Sequence, residues 1–203
     1  MTKKKQTAAW GGNPPQSPEE ASERLTVIAM ECFSERGMRK AFMAEVARIA
    51  GISRPTLYSY FPTKESLMFS AMDFEVGDWL RRQRRRIQRF DTPQERLVEG
   101  VIYAIEKLPK TKVLKFMADP EYVASVAIGD PNFQRSLEAS IKALEPTLQL
   151  APELVARQFE IAELVQRTVT SFLQYQIGKP RNKRELREFM HRTLVPAVGL
   201  PQL

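Results

Sequence analysis

The chain is nearly empty of the residues that carry most enzymatic and metal chemistry. Among its 203 residues there is one cysteine and one histidine. The lone Cys32 excludes an intrachain disulfide framework and any multi-cysteine metal site. It falls on the apolar face of a helical segment, where a small core residue is the plainer reading. His191 stands on a basic C-terminal segment, with no second His or Cys cluster to share a zinc ion. There is no Walker-type phosphate loop, no GxGxxG after a strand and no nucleophile elbow. Paired acids such as Glu19-Glu20 sit at a helix start, where the helix dipole accounts for them. These absences predict a protein that is not an enzyme and needs no cofactor or metal. No apolar run is long enough to span a bilayer, and Lys3-Lys4-Lys5 is not followed by the apolar segment of a secretory signal. A cytoplasmic protein without a membrane partner is expected. Strand-like alternation and internal repeats are missing too, so the expected fold class is all-α.

What the chain does have is a basic balance and helix punctuation. The net charge is +7 and 43% of residues are hydrophobic, which favours an anionic partner, nucleic acid first, and allows a real core. Residues 1–17 hold Gly11-Gly12, Pro14-Pro15 and three lysines, and are expected to form a flexible basic arm. That arm either adds phosphate or minor-groove contacts or is inert, and the inert reading is preferred. Ser17-Pro18-Glu19-Glu20 starts a first helix, with Leu25, Ile28, Ala29, Cys32 and Phe33 on its buried face and Gly37 closing it.

The most informative stretch runs from Ala47 to Lys64. It reads as two short helices joined by a tight turn. Gly51 supplies the turn's backbone freedom, Ser53 caps the second helix, and Pro55 sits in its first turn. Ala47, Ala50, Ile52, Leu57 and Phe61 let the helices pack closely, leaving Arg54, Thr56, Tyr58, Ser59 and Tyr60 outward or on the rim. Arg reads guanine and hydroxyls reach phosphates or base edges, so this surface suits a DNA major groove.

Leu25 to Met68 resembles the DNA-binding domain of the TetR family of bacterial transcriptional regulators. The anchors are Phe33-Ser34-Glu35-Arg36-Gly37, Glu45-Val46-Ala47, Ala50-Gly51-Ile52-Ser53, Thr56-Leu57-Tyr58-Ser59-Tyr60-Phe61 and Lys64-Glu65-Ser66-Leu67. One departure is Ala41-Phe42-Met43, where the family places a capping Thr or Ser that also touches phosphate; Phe42 is expected to staple the helix instead. Another is Tyr60, where the family often has His. The resemblance implies a three-helix helix-turn-helix domain over residues 18–70 and a larger helical domain over 71–203 for ligand binding and dimerisation.

Beyond the motif, a long helix begins at Lys64 and ends in the run Arg81–Arg89. That run is either a second DNA contact or a solvated, acid-paired face; the latter is preferred. Thr92-Pro93-Gln94-Glu95 starts a helix to about Leu108. Short helices follow Lys112, Asp119-Pro120 and Asp130-Pro131. A long helix is expected from Pro152 to Ile177 and a last one from Asn182 to Val195. On the former, Val155, Phe159, Ala162, Val165, Val169 and Phe172 make one apolar stripe. Leu154, Ile161, Leu164, Ser171 and Tyr175 make another, with Thr168 between. Two stripes imply burial on two sides, either within one subunit or against a second copy. The resemblance favours the second copy, in a homodimer using Ile161, Leu164, Thr168, Ser171, Tyr175, Leu186, Phe189, Met190 and Thr193.

The expected function is a ligand-responsive repressor of a palindromic DNA operator. Arg54 reads a base, Pro55 meets a thymine methyl or shapes the helix, and Thr56, Tyr58, Ser59, Tyr60 and Lys64 hold phosphates. The resemblance also implies an effector pocket, with Met72, Val76, Trp79, Phe116, Met117, Tyr122, Phe133 and Phe159 as lining and Gln83 and Gln166 as polar points. Such a lining favours an apolar or aromatic small molecule. The alternative is a helical protein-interaction dimer with a degenerate DNA-binding surface.

Overall fold

The computed structural model of the chain describes residues 9–36, 43–115, 131–175 and 181–202, and these are all-α. They divide into two compact units, meeting in sequence between Glu75 and Val76.

The first unit is built on three short-to-medium helices and the start of a fourth. Helix α1 spans Pro18–Arg36, α2 Met43–Ala50, α3 Arg54–Tyr60, and α4 Lys64–Ile87, crossing the unit boundary. Ser17 accepts the Glu20 N–H at 3.1 Å, which starts α1 where a cap and Pro18 predict it. Ala21, Leu25, Ala29, Cys32 and Phe33 recur at helical spacing and are buried. They share the core with Val46, Ala47, Ala50, Leu57, Phe61, Leu67 and Ala71. Thr63 and Ser66 cap α4 reciprocally: each side-chain oxygen accepts the other's backbone N–H, at 3.0 and 3.2 Å.

Part of the segment expected to be a flexible arm has defined structure. Ala9–Gly12 form a 3-10 turn, in which Trp10 and Gly11 take left-handed backbone angles. Asn13 closes the turn onto the Trp10 carbonyl at 3.2 Å, and Arg24 holds the Asn13 carbonyl at 2.6 Å. The Trp10 ring supplies the apolar surface that the composition of residues 1–17 otherwise lacks. Gly37, Ala41 and Phe42, and with them the expected staple, lie outside the described residues.

The second unit packs the rest of α4 with α5 (Pro93–Lys107), α6 (Pro131–Leu148), α7 (Gln158–Gln174) and α8 (Lys183–Ala197). Thr92 caps α5 through the Glu95 N–H, and Asn182 with Glu185 forms a capping box on α8. Leu97, Val98, Val101 and Ile102 of α5 pack with Leu144 and Leu148 of α6, Ile161, Ala162 and Val169 of α7, and Met190, Leu194 and Val195 of α8.

Four arginines of the run have carboxylate partners within this unit. Arg81 and Arg82 pair with Asp78, Arg84 with Glu145 at 2.5 Å and Arg86 with Glu99 at 2.8 Å. Glu99 also takes Arg187 at 2.5 Å, joining α4, α5 and α8 at a buried carboxylate.

The long helix expected from Pro152 is two elements. Pro152–Arg157 are a 3-10 turn, and Arg157, at φ −112 and ψ 16, separates it from α7. The break separates Leu154 and Val155 from the stripes, and the remaining stripe residues follow the phase of α7 alone. At about 100° per residue, Ile161, Ala162, Val165, Val169 and Phe172 fall within one arc, and Phe159 falls well outside it. Accordingly Ile161, Ala162 and Val169 are buried, whereas Phe159 is 61% exposed and Val155 45% exposed.

Candidate nucleic-acid interface and effector cavity

The turn between α2 and α3 is fixed by its own backbone. Gly51 has φ +67, the Ile52 N–H reaches the Ala47 carbonyl at 3.0 Å, and the Gly51 N–H reaches that of Arg48 at 3.2 Å. This is the Schellman arrangement, which needs a left-handed residue at the glycine position. Ser53 then caps α3 by accepting the Thr56 N–H at 3.1 Å, and the two hydroxyls lie 2.7 Å apart. Leu57, fully buried, anchors α3 to the core.

The rest of α3 follows from that anchor. Arg54, Pro55, Tyr58 and Ser59 sit at i, i+1, i+4 and i+5, which is one continuous arc of a helix. All four are exposed, and Thr56 and Tyr60 border the arc half-buried. Ser59 donates its hydroxyl to the Thr56 carbonyl at 2.7 Å. Lys64 is half-buried in the first turn of α4. The neighbouring Arg48 is tied to Glu45 by two bonds at 2.7 and 3.0 Å, and that carboxylate raises its pKa further. The Trp10 ring meets Tyr60 edge-on, with centroids 6.4 Å apart and planes at 87°. Sequence reasoning missed this contact, because a contact between residues fifty positions apart leaves no periodic signal.

A cavity of about 550 Å³ lies within the second unit, with walls from α4, α5, α6 and α7. Its volume comes from small side chains at helical spacing on α6: Ser136, Ala139, Ser140, Ala143 and Thr147, opposite Gly100 and Ala104 of α5. A Cβ added at Gly100 would stand 3.2 Å from the buried Gln83 amide nitrogen. Of the residues expected to line a pocket, Val76, Trp79, Gln83 and Gln166 do so. Met72 and Phe159 do not: Met72 belongs to the first unit and Phe159 projects from α7. Phe116, Met117 and Tyr122 lie outside the described residues, as does the side chain of Phe133.

The polar atoms of the wall are distinctive. Trp79 packs on Tyr103 with ring centroids 5.5 Å apart, and burial holds the Tyr103 phenol above its ordinary pKa. The Trp79 indole N–H is buried without a partner. Gln166 donates to the Ser136 hydroxyl at 2.8 Å, while its carbonyl oxygen is buried and unpartnered. Arg96 donates to the carbonyls of Phe90 and Pro146, at 2.8 and 2.7 Å, near the ends of α4 and α6. Glu163 and Arg167 pair with each other at 2.7 Å, both substantially exposed. No cluster of His, Cys, Asp or Glu among the described residues could hold a metal ion, and no helix there is long and apolar enough to cross a membrane.

The residues expected at a dimer interface divide into two groups. Ile161 and Met190, at 3% and 0% exposure, belong to the protomer's own core, so their assignment to an interface is corrected. Ser171, Tyr175 and Thr193 are exposed, and Leu164, Thr168, Leu186 and Phe189 are half-buried. Phe189 meets Phe172 edge-on at 6.0 Å and carries the Arg181 guanidinium 4.3 Å above its ring.

Comparison with known proteins bears on the first unit most directly. Residues 25–71 match the model of bacterial regulatory proteins of the tetR family. An uncharacterized HTH-type transcriptional regulator of Mycobacterium tuberculosis is 31% identical over 85 residues, which is 42% of this chain and 43% of that one. The HTH-type transcriptional regulator LuxR of Vibrio harveyi is 37% identical over 60 residues, 30% of this chain and 29% of that one. The chain therefore spans less than half the length of these curated relatives. A tetR-family regulator from Streptomyces coelicolor shares the fold, with a TM-score of 0.57 at 20% identity over 89% of this chain and 82% of that one. A TetR regulator from Rhodococcus gives 0.56 at 20% identity, over 91% of this chain and 100% of that one. With its Schellman turn and capped third helix, the first unit carries a helix-turn-helix domain that matches the tetR family of bacterial regulatory proteins.

Proposed function

We propose that the chain is a ligand-responsive, DNA-binding transcriptional regulator that acts as a homodimer, and that it is a repressor released from a palindromic operator by a small apolar effector. The observation that carries this reading is the exposed arc of Arg54, Pro55, Tyr58 and Ser59 on a helix of seven residues. A helix is about 10–12 Å across with its side chains and fits a major groove about 12 Å wide. Arg54 has the reach and the donors to read a guanine edge. Thr56, Tyr58, Ser59, Tyr60 and Lys64 hold backbone phosphates, and Pro55 meets a thymine methyl or shapes the helix. The dimer surface comprises Leu164, Thr168, Ser171, Tyr175, Leu186, Phe189 and Thr193. The cavity in the second unit is the effector site. Helix α4 carries Lys64 in its first turn and Trp79 and Gln83 on the cavity wall, so it is the element through which an effector alters the spacing of the two reading helices.

The experiment is a titration of Arg54→Ala over single-base variants of a selected operator. Loss of about 1–3 kcal/mol, with relaxed preference at one position per half-site, is expected. Unchanged affinity and preference refute the role given to Arg54.

A further inference from the structure

We infer that the effector carries an anionic head on an apolar body, and that the head docks against Arg96 at one end of the cavity. This rests on the reading of the cavity as the effector site and adds the chemistry of what fills it. Two observations carry it: a cation on the wall that no carboxylate balances, and open polar side chains gathered around it.

Three charged residues line the cavity: Arg96, Glu163 and Arg167. Glu163 and Arg167 pair with each other at 2.7 Å, so their charges cancel. Arg96 is half-buried and has no carboxylate partner among the described residues. Its Nε and Nη1 donate to the Phe90 and Pro146 carbonyls at 2.8 and 2.7 Å. Those bonds hold the guanidinium in place. Carbonyl dipoles at helix ends offset part of a charge but do not cancel it. Its Nη2 has no partner among the described residues and remains a donor. An anion entering the cavity therefore meets a counter-charge already fixed in position, and a cation meets repulsion.

The surroundings of Arg96 fit an anionic head. Gln83 lines the cavity, is 5% exposed and makes no hydrogen bond among the described residues. Its amide nitrogen lies 3.2 Å from where a Cβ on Gly100 would stand. Gly100 is four residues from Arg96, on the same face of α5 and about 5–6 Å along it. A glycine there leaves the Gln83 amide and Arg96 open to the same space. Thr147 also lines the cavity, and it follows Pro146, whose carbonyl Arg96 holds. Gln83 is near the end of α4, Arg96 near the start of α5 and Thr147 near the end of α6. The three form one polar end, where an amide N–H and a hydroxyl can join the guanidinium on an anion's oxygens. Further along α5 the wall turns apolar, with Val101, Ala104 and Leu108. The Trp79 N–H and the Gln166 carbonyl are enclosed by packing and take no part.

The test uses the full chain and four probes sharing one apolar chain: decanoate, decyl phosphate, 1-decanol and decylamine. Affinity is read by isothermal titration calorimetry, below the micelle concentration of each probe. Saturable binding of at least one anion, tenfold or more tighter than 1-decanol and decylamine, is expected; the tighter anion names the head. Arg96→Gln removes the charge and should bring that anion down at least tenfold, to the affinity of 1-decanol. Gln83→Leu should weaken it about three- to tenfold. Circular dichroism shows whether each variant is folded. Binding of 1-decanol or decylamine as tight as that of both anions overturns the anionic head and leaves the effector site standing. So does an anion that binds folded Arg96→Gln as tightly as the unmodified chain. Where Arg96→Gln does not fold, Gln83→Leu decides in its place, and unchanged anion affinity overturns the docking site. Failure of all four probes to bind folded protein overturns the reading of the cavity as an effector site.

Discussion

Glu99→Gln tests whether the second unit is held together by charge at its centre. The Glu99 side chain is 2% exposed and accepts from Arg86 at 2.8 Å and from Arg187 at 2.6 and 2.5 Å. Glutamine keeps the shape and one acceptor, removes the charge, and turns an NH₂ toward a guanidinium. Breaking a fully buried pair by removing one partner costs about 3–5 kcal/mol. Here the two arginine side chains are 36% and 38% exposed, so each can recover part of its hydration, and the expected cost falls to about 2–3 kcal/mol. Glu145→Gln is the internal comparison. It breaks the Arg84 pair, whose side chains are 44% and 51% exposed, and should cost at most about 1 kcal/mol. Urea unfolding followed by circular dichroism measures both, with an unchanged m-value showing that stability alone has moved. If Glu99→Gln costs no more than Glu145→Gln, burial does not give the Glu99 cluster its weight.

Three further outcomes follow from the first unit and the exposed surface of the second. Lys64→Ala should weaken binding to operator and random DNA alike and lower the salt slope by about 0.9 for each phosphate no longer neutralised; a changed base preference at constant slope would contradict it. Trp10→Ala removes an aromatic pairing worth about 0.5–1.5 kcal/mol and should reduce DNA affinity through Tyr60. Its effect should then be non-additive with Tyr60→Ala in a double-mutant cycle, and full additivity would show that the two rings act separately. Leu164→Arg should give a folded, helical monomer with sharply weaker operator binding, as read by light scattering and circular dichroism; a mutant that remains a dimer contradicts the interface.

The parts of the fold legible in the sequence are those decided within a few residues. The Gly51–Ser53 turn, the Thr92 cap and the Asn182 start each depend on backbone geometry that only a few residue types satisfy. Ion pairing along Arg81–Arg86 was legible for a similar reason, since Asp78 lies within the same helix. What depended on phase or on distant contacts was less legible. Phe159 and Ile161 share α7, and their two-residue separation, about 160° apart around that helix, puts Ile161 in the protomer core and Phe159 in solvent. Met190 gave no sign of its burial because an apolar stripe looks the same facing its own subunit or a second copy. The cavity was expected from the family resemblance, with mostly large residues as its lining, yet small residues on α6 line it as well, and absent volume leaves little trace in a hydrophobic pattern. Trp79 was expected as apolar lining; its unpartnered N–H emerges only from the packing around it.

Everything proposed for the first unit depends on Arg54 and its neighbours on α3 reading DNA as a symmetric pair. Selection of binding sites from random double-stranded DNA with the purified full chain bears on this without an intermediate step. Enrichment of a motif with two-fold symmetry is expected, its half-sites centred about 10 base pairs or a multiple apart, together with loss of that enrichment for Arg54→Ala. No enriched motif, or a motif equally well selected by Arg54→Ala, would contradict the reading.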